Sequence, residues 1–176
     1  TLKCAWTGSR VSSFGARNEV ISFNLVLEAA DSPASGVTVD FDTLVGPGGA
    51  KISSRPTDKK GVFNWLNRDI ELFLVEYLQI KGLSQLSYGT YDERHIPQKL
   101  RRPKRVDGTY SGNWADRPNH DKFYPDIALP IEARSRFSIP AGKNQSIWVD
   151  IYIPKDVPAG LYRGNISVSE RGDVTY

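Results

Sequence analysis

The residues best equipped for chemistry gather in the middle of the chain. Lys99, Arg101, Arg102, Lys104 and Arg105 put five positive charges into seven residues, with Arg94 and His95 shortly before them. Guanidinium forks grip sulfate, carboxylate or phosphate through paired, charge-assisted hydrogen bonds, so Arg101, Arg102 and Arg105 are candidate ligands for an anionic group. The competing reading is a solvated loop, which is what most exposed charge runs are. Nucleic acid would need the run to join a wider basic face, and Asp92, Glu93, Asp107, Asp116, Asp121 and Asp126 break it up. No nucleic-acid partner is expected.

The same stretch holds Tyr88, Tyr91, Tyr110, Trp114, Phe123 and Tyr124, with Asn113, Asp116, Asn119 and Asp121 among them. Rings beside short polar side chains stack on the apolar face of a sugar while the polar groups bond its hydroxyls. Tyr110, Trp114 and Tyr124, with the three arginines, therefore make a candidate site for an anionic glycan. The alternative is that these rings pin a long loop to the body of the protein.

Catalytic signatures are sparse. His95 and His120 stand 25 positions apart, in neither metal nor triad spacing, and Cys4 is the only cysteine, so no zinc site and no internal disulfide is expected. Asp116, Asp121, Asp126 and Glu132 are candidate acid and base groups of a common type. The separation that would make two of them a glycosidase pair is a three-dimensional property. Gly46-Pro-Gly-Gly49 reads as a turn, because no Gly-Lys-Ser/Thr follows it. Asn144-Gln-Ser146 and Asn165-Ile-Ser167 fit the glycosylation sequon, a short pattern that recurs by chance. No catalytic residue, metal or cofactor is predicted.

The elements that would position these groups are strands. Ile21, Phe23, Leu25 and Leu27 alternate with Ser22, Asn24 and Glu28 over Val20–Glu28, as a half-buried strand requires. Val37, Val39 and Phe41 repeat the pattern after the Asp31–Gly36 turn cluster, and the two segments are expected to be antiparallel neighbours. Ile70–Ile80 is apolar on both faces, which fits a central strand. Ile147, Val149, Ile151 and Ile153 alternate with Trp148, Asp150 and Tyr152. Tyr162, Gly164, Ile166 and Val168 follow across the turn-like segment 154–160, an expected hairpin. Strands separated by Gly/Pro-rich turns predict an all-β, immunoglobulin/fibronectin-III-like β-sandwich with a long insertion over about residues 82–130.

The 176 residues are 39% hydrophobic and 24% charged, which suits one folded domain over residues 1–176 and excludes disordered and low-complexity classes. No apolar run reaches the length of a membrane helix. The net charge of +3 is small, and its positive excess is local to the insertion. With no methionine anywhere, Thr1 reads as the product of processing or of a cut from something longer.

Four segments carry a resemblance: Ala16-Arg-Asn-Glu-Val-Ile-Ser-Phe-Asn-Leu-Val-Leu27, Phe123-Tyr-Pro-Asp-Ile-Ala-Leu-Pro130, Ala141-Gly-Lys-Asn-Gln-Ser-Ile-Trp-Val-Asp-Ile-Tyr-Ile-Pro154 and Pro158-Ala-Gly-Leu-Tyr-Arg-Gly-Asn-Ile-Ser-Val168. Together they resemble the N-terminal β-sandwich ahead of the catalytic barrel in bacterial proteins related to glycoside hydrolase family 123 and the domain of unknown function 4091. The resemblance implies a non-catalytic accessory domain of a glycan-degrading protein, secreted or periplasmic, whose partner is the catalytic barrel of the same polypeptide. It carries no catalytic residue onto this chain, since the carboxylates belong to the barrel. The basic run 99–105 departs from the pattern, and the last strand looks truncated after Tyr176, which predicts a continuing polypeptide and an exposed edge near Tyr162–Val168. Within the motifs, Arg17 and Glu19 are expected to exchange charge, Gly160 to take positive φ, and Trp148 to supply a ring for a sheet face.

Two other classes of function compete with the accessory reading. One is a stand-alone carbohydrate-binding module for an anionic glycan, using Tyr110, Trp114, Tyr124, Arg101, Arg102 and Arg105. The other is a small enzyme with its site in the long insertion, such as Asp121 with His120.

Overall fold

A computed structural model describes residues 7–56, 67–80, 105–108 and 123–174. Among these described residues, ten strands follow one another with two short 3-10 turns between them: β1 Glu19–Ala29, β2 Ala34–Phe41, β3 Leu44–Val45, β4 Lys51–Ile52, β5 Ile70–Gln79, β6 Phe123–Pro130, β7 Phe137–Ile139, β8 Lys143–Ile153, β9 Ile166–Glu170 and β10 Asp173–Val174. They form a four-stranded sheet in the order β1-β8-β5-β6, a second in the order β10-β9-β2-β7, and the small ladder β3-β4. The all-β sandwich expected from the alternation is what the chain forms.

The chain divides into two compact units, residues 1–76 with 128–176, and residues 77–127. The first holds the sandwich. Of the second, the described residues are the end of β5, a turn at residues 105–108 and the start of β6.

The core of the sandwich follows from period-two alternation. Ile70, Leu72 and Leu74 of β5 lie in register with Ile151, Val149 and Ile147 of β8, which in turn face Ile21, Phe23 and Leu25 of β1. From the other sheet come Val37, Val39 and Phe41 of β2 and Phe137 and Ile139 of β7, closing one buried cluster.

Strand pairing differs from the expectation in two places. β1 and β2 are not neighbours: β1 pairs with β8, whereas β2 pairs with β7 and β9. The turn cluster at 31–36 therefore carries the chain from one sheet to the other. The 154–160 segment does the same, so β8 and β9 are not a hairpin. Both connections join strands whose apolar faces must meet across the core, which a hairpin within one sheet would not achieve. β5 lies inside its sheet, as its two apolar faces predicted. The insertion is shorter than expected at its end, because residues 123–130 are strand β6. The strand expected over Tyr162–Val168 starts at Ile166 and has β2 on one side and β10 on the other, so it is not an edge.

The Pro-Ala-Gly-x-Tyr-x-Gly segment owes its residue types to close packing on the β3-β4 ladder. Val45 and Arg163 exchange backbone hydrogen bonds, N to O, at 2.8 and 3.0 Å. Tyr162 donates its hydroxyl to the Pro158 carbonyl at 2.8 Å, and its ring lies where a side chain on Gly46 would be, 2.3 Å from that Cβ position. Gly160 has the positive φ expected of it, 153°, but space is the tighter constraint: a Cβ there would sit 2.4 Å from Cγ of Pro47. Gly160→Ala is therefore expected to lower stability by about 1–3 kcal/mol, the usual cost of overpacking a rigid neighbour, measured as a shift of the urea midpoint at unchanged slope.

Candidate functional site

Of the six residues singled out for glycan binding, Tyr110, Trp114, Arg101 and Arg102 lie outside the described residues. Arg105 is exposed at a turn that Gly108 closes by donating its N–H to the Arg105 carbonyl at 3.0 Å. Tyr124 stands on β6 and is 36% exposed. Among the candidate carboxylates, Asp116 and Asp121 are outside the described residues, as is His120. Asp126 is exposed on β6, and Glu132 begins a different arrangement.

That arrangement is a charge triad which sequence reasoning missed. Arg68, just before β5, donates one guanidinium nitrogen to Glu71 and the other to Glu132, each at 2.5 Å. The Arg68 and Glu71 side chains are 12% and 6% exposed, and that of Glu132 is half exposed. Arg68 Nε and Glu71 Oε1 are buried without a hydrogen bond among the described residues. Burial works against the charge on Arg68, yet its hydrogen bonds to Glu71 and Glu132, with their negative charge, outweigh it and raise its pKa above the ordinary arginine value. The hydrogen bond from Arg68 in turn holds the Glu132 carboxyl below its ordinary value.

Arg68 and Glu132 line a cleft of about 140 Å³ together with Val39, Phe41, Ile70 and Leu72 and with Asp40, Asp42 and Arg55. Chemically this is a poor acid catalyst: a general acid needs a raised pKa, and Arg68 pushes Glu132 the other way. Nor is Arg68 open to an oxyanion, since two carboxylates already occupy its fork. The i,i+3 spacing of Arg68 and Glu71 was the only local signal of the pair.

The motif residues are structural in specific ways. Arg17 and Glu19 form no ion pair among the described residues. The Glu19 carboxylate accepts the Ala16 N–H at 2.5 Å, satisfying backbone that would otherwise be free at the entry to β1. Asn18 sits at φ 65° and accepts the Tyr152 hydroxyl at 3.1 Å. Gln145 donates its amide to the Val75 carbonyl at 2.7 Å, just past the last residue of β5 that pairs with β8. Trp148 supplies the expected ring on the outer face of β8, 41% exposed. Arg134 and Glu76 form a further ion pair. No helix among the described residues is long and apolar enough to cross a membrane.

Part of the chain is similar to a known domain. Residues 93–170 match the model of the glycoside hydrolase 123 N-terminal domain. Three of the four motif segments named above fall inside that match, and the first, Ala16–Leu27, lies ahead of it. Among solved structures, the chain is similar to a family 123 glycoside hydrolase from Clostridium perfringens studied for the details of glycolipid glycan hydrolysis. The TM-score is 0.54 at 18% identity, over 88% of this chain and 19% of that one. At that identity the likeness is one of fold, and the chain spans about a fifth of the enzyme's length. No curated protein matches it.

Proposed function

We propose that this chain is a non-catalytic N-terminal accessory domain of a bacterial glycan-degrading protein, secreted or periplasmic, which packs on and supports a catalytic domain of the same polypeptide. The observation that carries this reading is the match of residues 93–170 to an N-terminal domain model, joined to a shared fold over most of the chain.

The relative's glycolipid glycan is the first substrate class to assay. The isolated 176-residue chain is expected to release no sugar, whereas the polypeptide that continues into a catalytic domain does. Deleting this chain from that polypeptide is expected to lower its unfolding temperature. Hydrolysis by the isolated chain, lost in Asp121→Asn, would replace the accessory reading with that of a small enzyme.

A further inference from the structure

The outer face of the β1-β8-β5 layer carries an arrangement that the accessory reading does not use. Register places Asn24 of β1, Trp148 of β8 and Phe73 of β5 in one row, and Ser22, Asp150 and Glu71 in the next. Trp148 Nε1 donates to Asp150 Oδ1 at 2.8 Å, and Ser22 Oγ donates to the same oxygen at 2.5 Å. An indole bonded to the acceptor two residues along the same face is drawn along its strand and held there. Trp148 nevertheless stays 41% exposed. Asp150 Oδ2 takes no hydrogen bond among the described residues, and Asn24, exposed beside the ring, makes only a long contact of 3.4 Å to Ser146. The outer positions of the other sheet, Thr38, Asp40, Ser167 and Ser169, hold no ring at all.

We propose that Trp148, Asp150 and Asn24 form a binding site for one neutral pyranose ring of a glycan. The C–H face of a pyranose is apolar and of the area of an indole, so it stacks on Trp148. Asp150 Oδ2 accepts from a hydroxyl, and the Asn24 amide both donates and accepts. Fixing the indole through its N–H removes the rotamer entropy that a free ring would lose on binding. No cation stands in either row, and the Asp150 charge sets the site against sulfated or uronic sugars. This is opposite in sign to the arginine-based site considered for the insertion. The site rests on side chains of this chain alone and stands or falls independently of the accessory reading.

The test is isothermal titration of the 176-residue chain with neutral β-linked tetrasaccharides of glucose, galactose and N-acetylglucosamine and with their sulfated counterparts. The indole N–H resonances are followed by NMR. At least one neutral sugar is expected to give saturable heat and to shift the Trp148 indole signal. Trp148→Ala should weaken binding about tenfold or more and Asp150→Asn several-fold, with Trp148→Phe intermediate. Unfolding curves of the variants confirm the fold, so a loss of binding reports the site. Absence of saturable heat with every neutral sugar, undiminished affinity in Trp148→Ala, or a preference for the sulfated set would each overturn the proposal.

Discussion

Arg68→Ala is expected to destabilise the fold by about 3–5 kcal/mol, the range found when one partner of a buried ion pair is removed. The loss is large because Glu71, only 6% exposed, would be left buried with no partner and with Oε1 already lacking a hydrogen bond. Arg68→Lys is expected to recover part of the stability, since an ammonium can approach one carboxylate but lacks the planar fork that reaches both. Arg68→Met combined with Glu71→Leu should recover more, by removing both buried charges together. Urea unfolding at neutral pH measures all three, and an Arg68→Ala midpoint indistinguishable from the parent would show that the triad is not formed in solution.

The triad also predicts a pH dependence with a definite sign. The Arg68 hydrogen bond lowers the Glu132 carboxyl in the folded state, so the unfolded chain binds a proton there more readily. The stability this contributes is fully present above the unfolded carboxylate value and is lost as pH falls through the lowered folded value. Glu132→Gln should therefore show a shallower decline on the acid side than the parent chain. Its half-exposed side chain keeps the difference modest.

Ile147→Ala is the second large effect, expected at about 2–5 kcal/mol from lost burial and the cavity left behind. Ile147 is 0% exposed, and in register it stands between Leu25 of β1 and Leu74 of β5, at the centre of the first sheet's inner face. Ile147→Val should cost only about 0.5–1.5 kcal/mol, because one methyl group leaves a smaller void. Val26→Ala, on the outer face of β1 with Val26 52% exposed, should stay within about 0.5 kcal/mol of the parent. If Ile147→Ala and Val26→Ala were equally mild by denaturant unfolding, the inner and outer faces would be wrongly assigned.

In the proposed accessory role a catalytic domain stands beside this one, and the two candidate glycan contacts make different demands on its substrate. The arginine and tyrosine cluster around residues 101–124 would favour an anionic chain. The Trp148 row would favour a neutral one, and it lies on the sandwich itself. Titration with paired neutral and sulfated sugars separates them by the sign of the preference.

Much of the sandwich was legible in the residue order alone. Alternation along 20–28, 37–41 and 147–153 identified the strands and, residue by residue, the side that faces the core, because successive side chains on a strand must point to opposite faces, whereas 70–80, apolar on both sides, showed only a strand with a central place. The turn at Gly46–Gly49, the ring of Trp148 on a sheet face and the absence of a helical stripe were equally local properties. Which strands pair was not local. The segments at 31–36 and 154–160 have turn chemistry that serves a hairpin and a crossing between sheets alike, and only the need to bring two apolar faces together decided for the crossing. The triad lay beyond reach for a similar reason: Glu132 is 64 positions from Arg68, and nothing in either neighbourhood marks them as partners. Ser22 and Asp150, 128 positions apart, meet only because β1 pairs with β8 in one register. The sequence alone determined which side of β1, β2 and β8 is apolar. Tertiary structure decided which strands meet and hence which charges and rings share a surface, because contact between distant residues depends on the path of the whole chain.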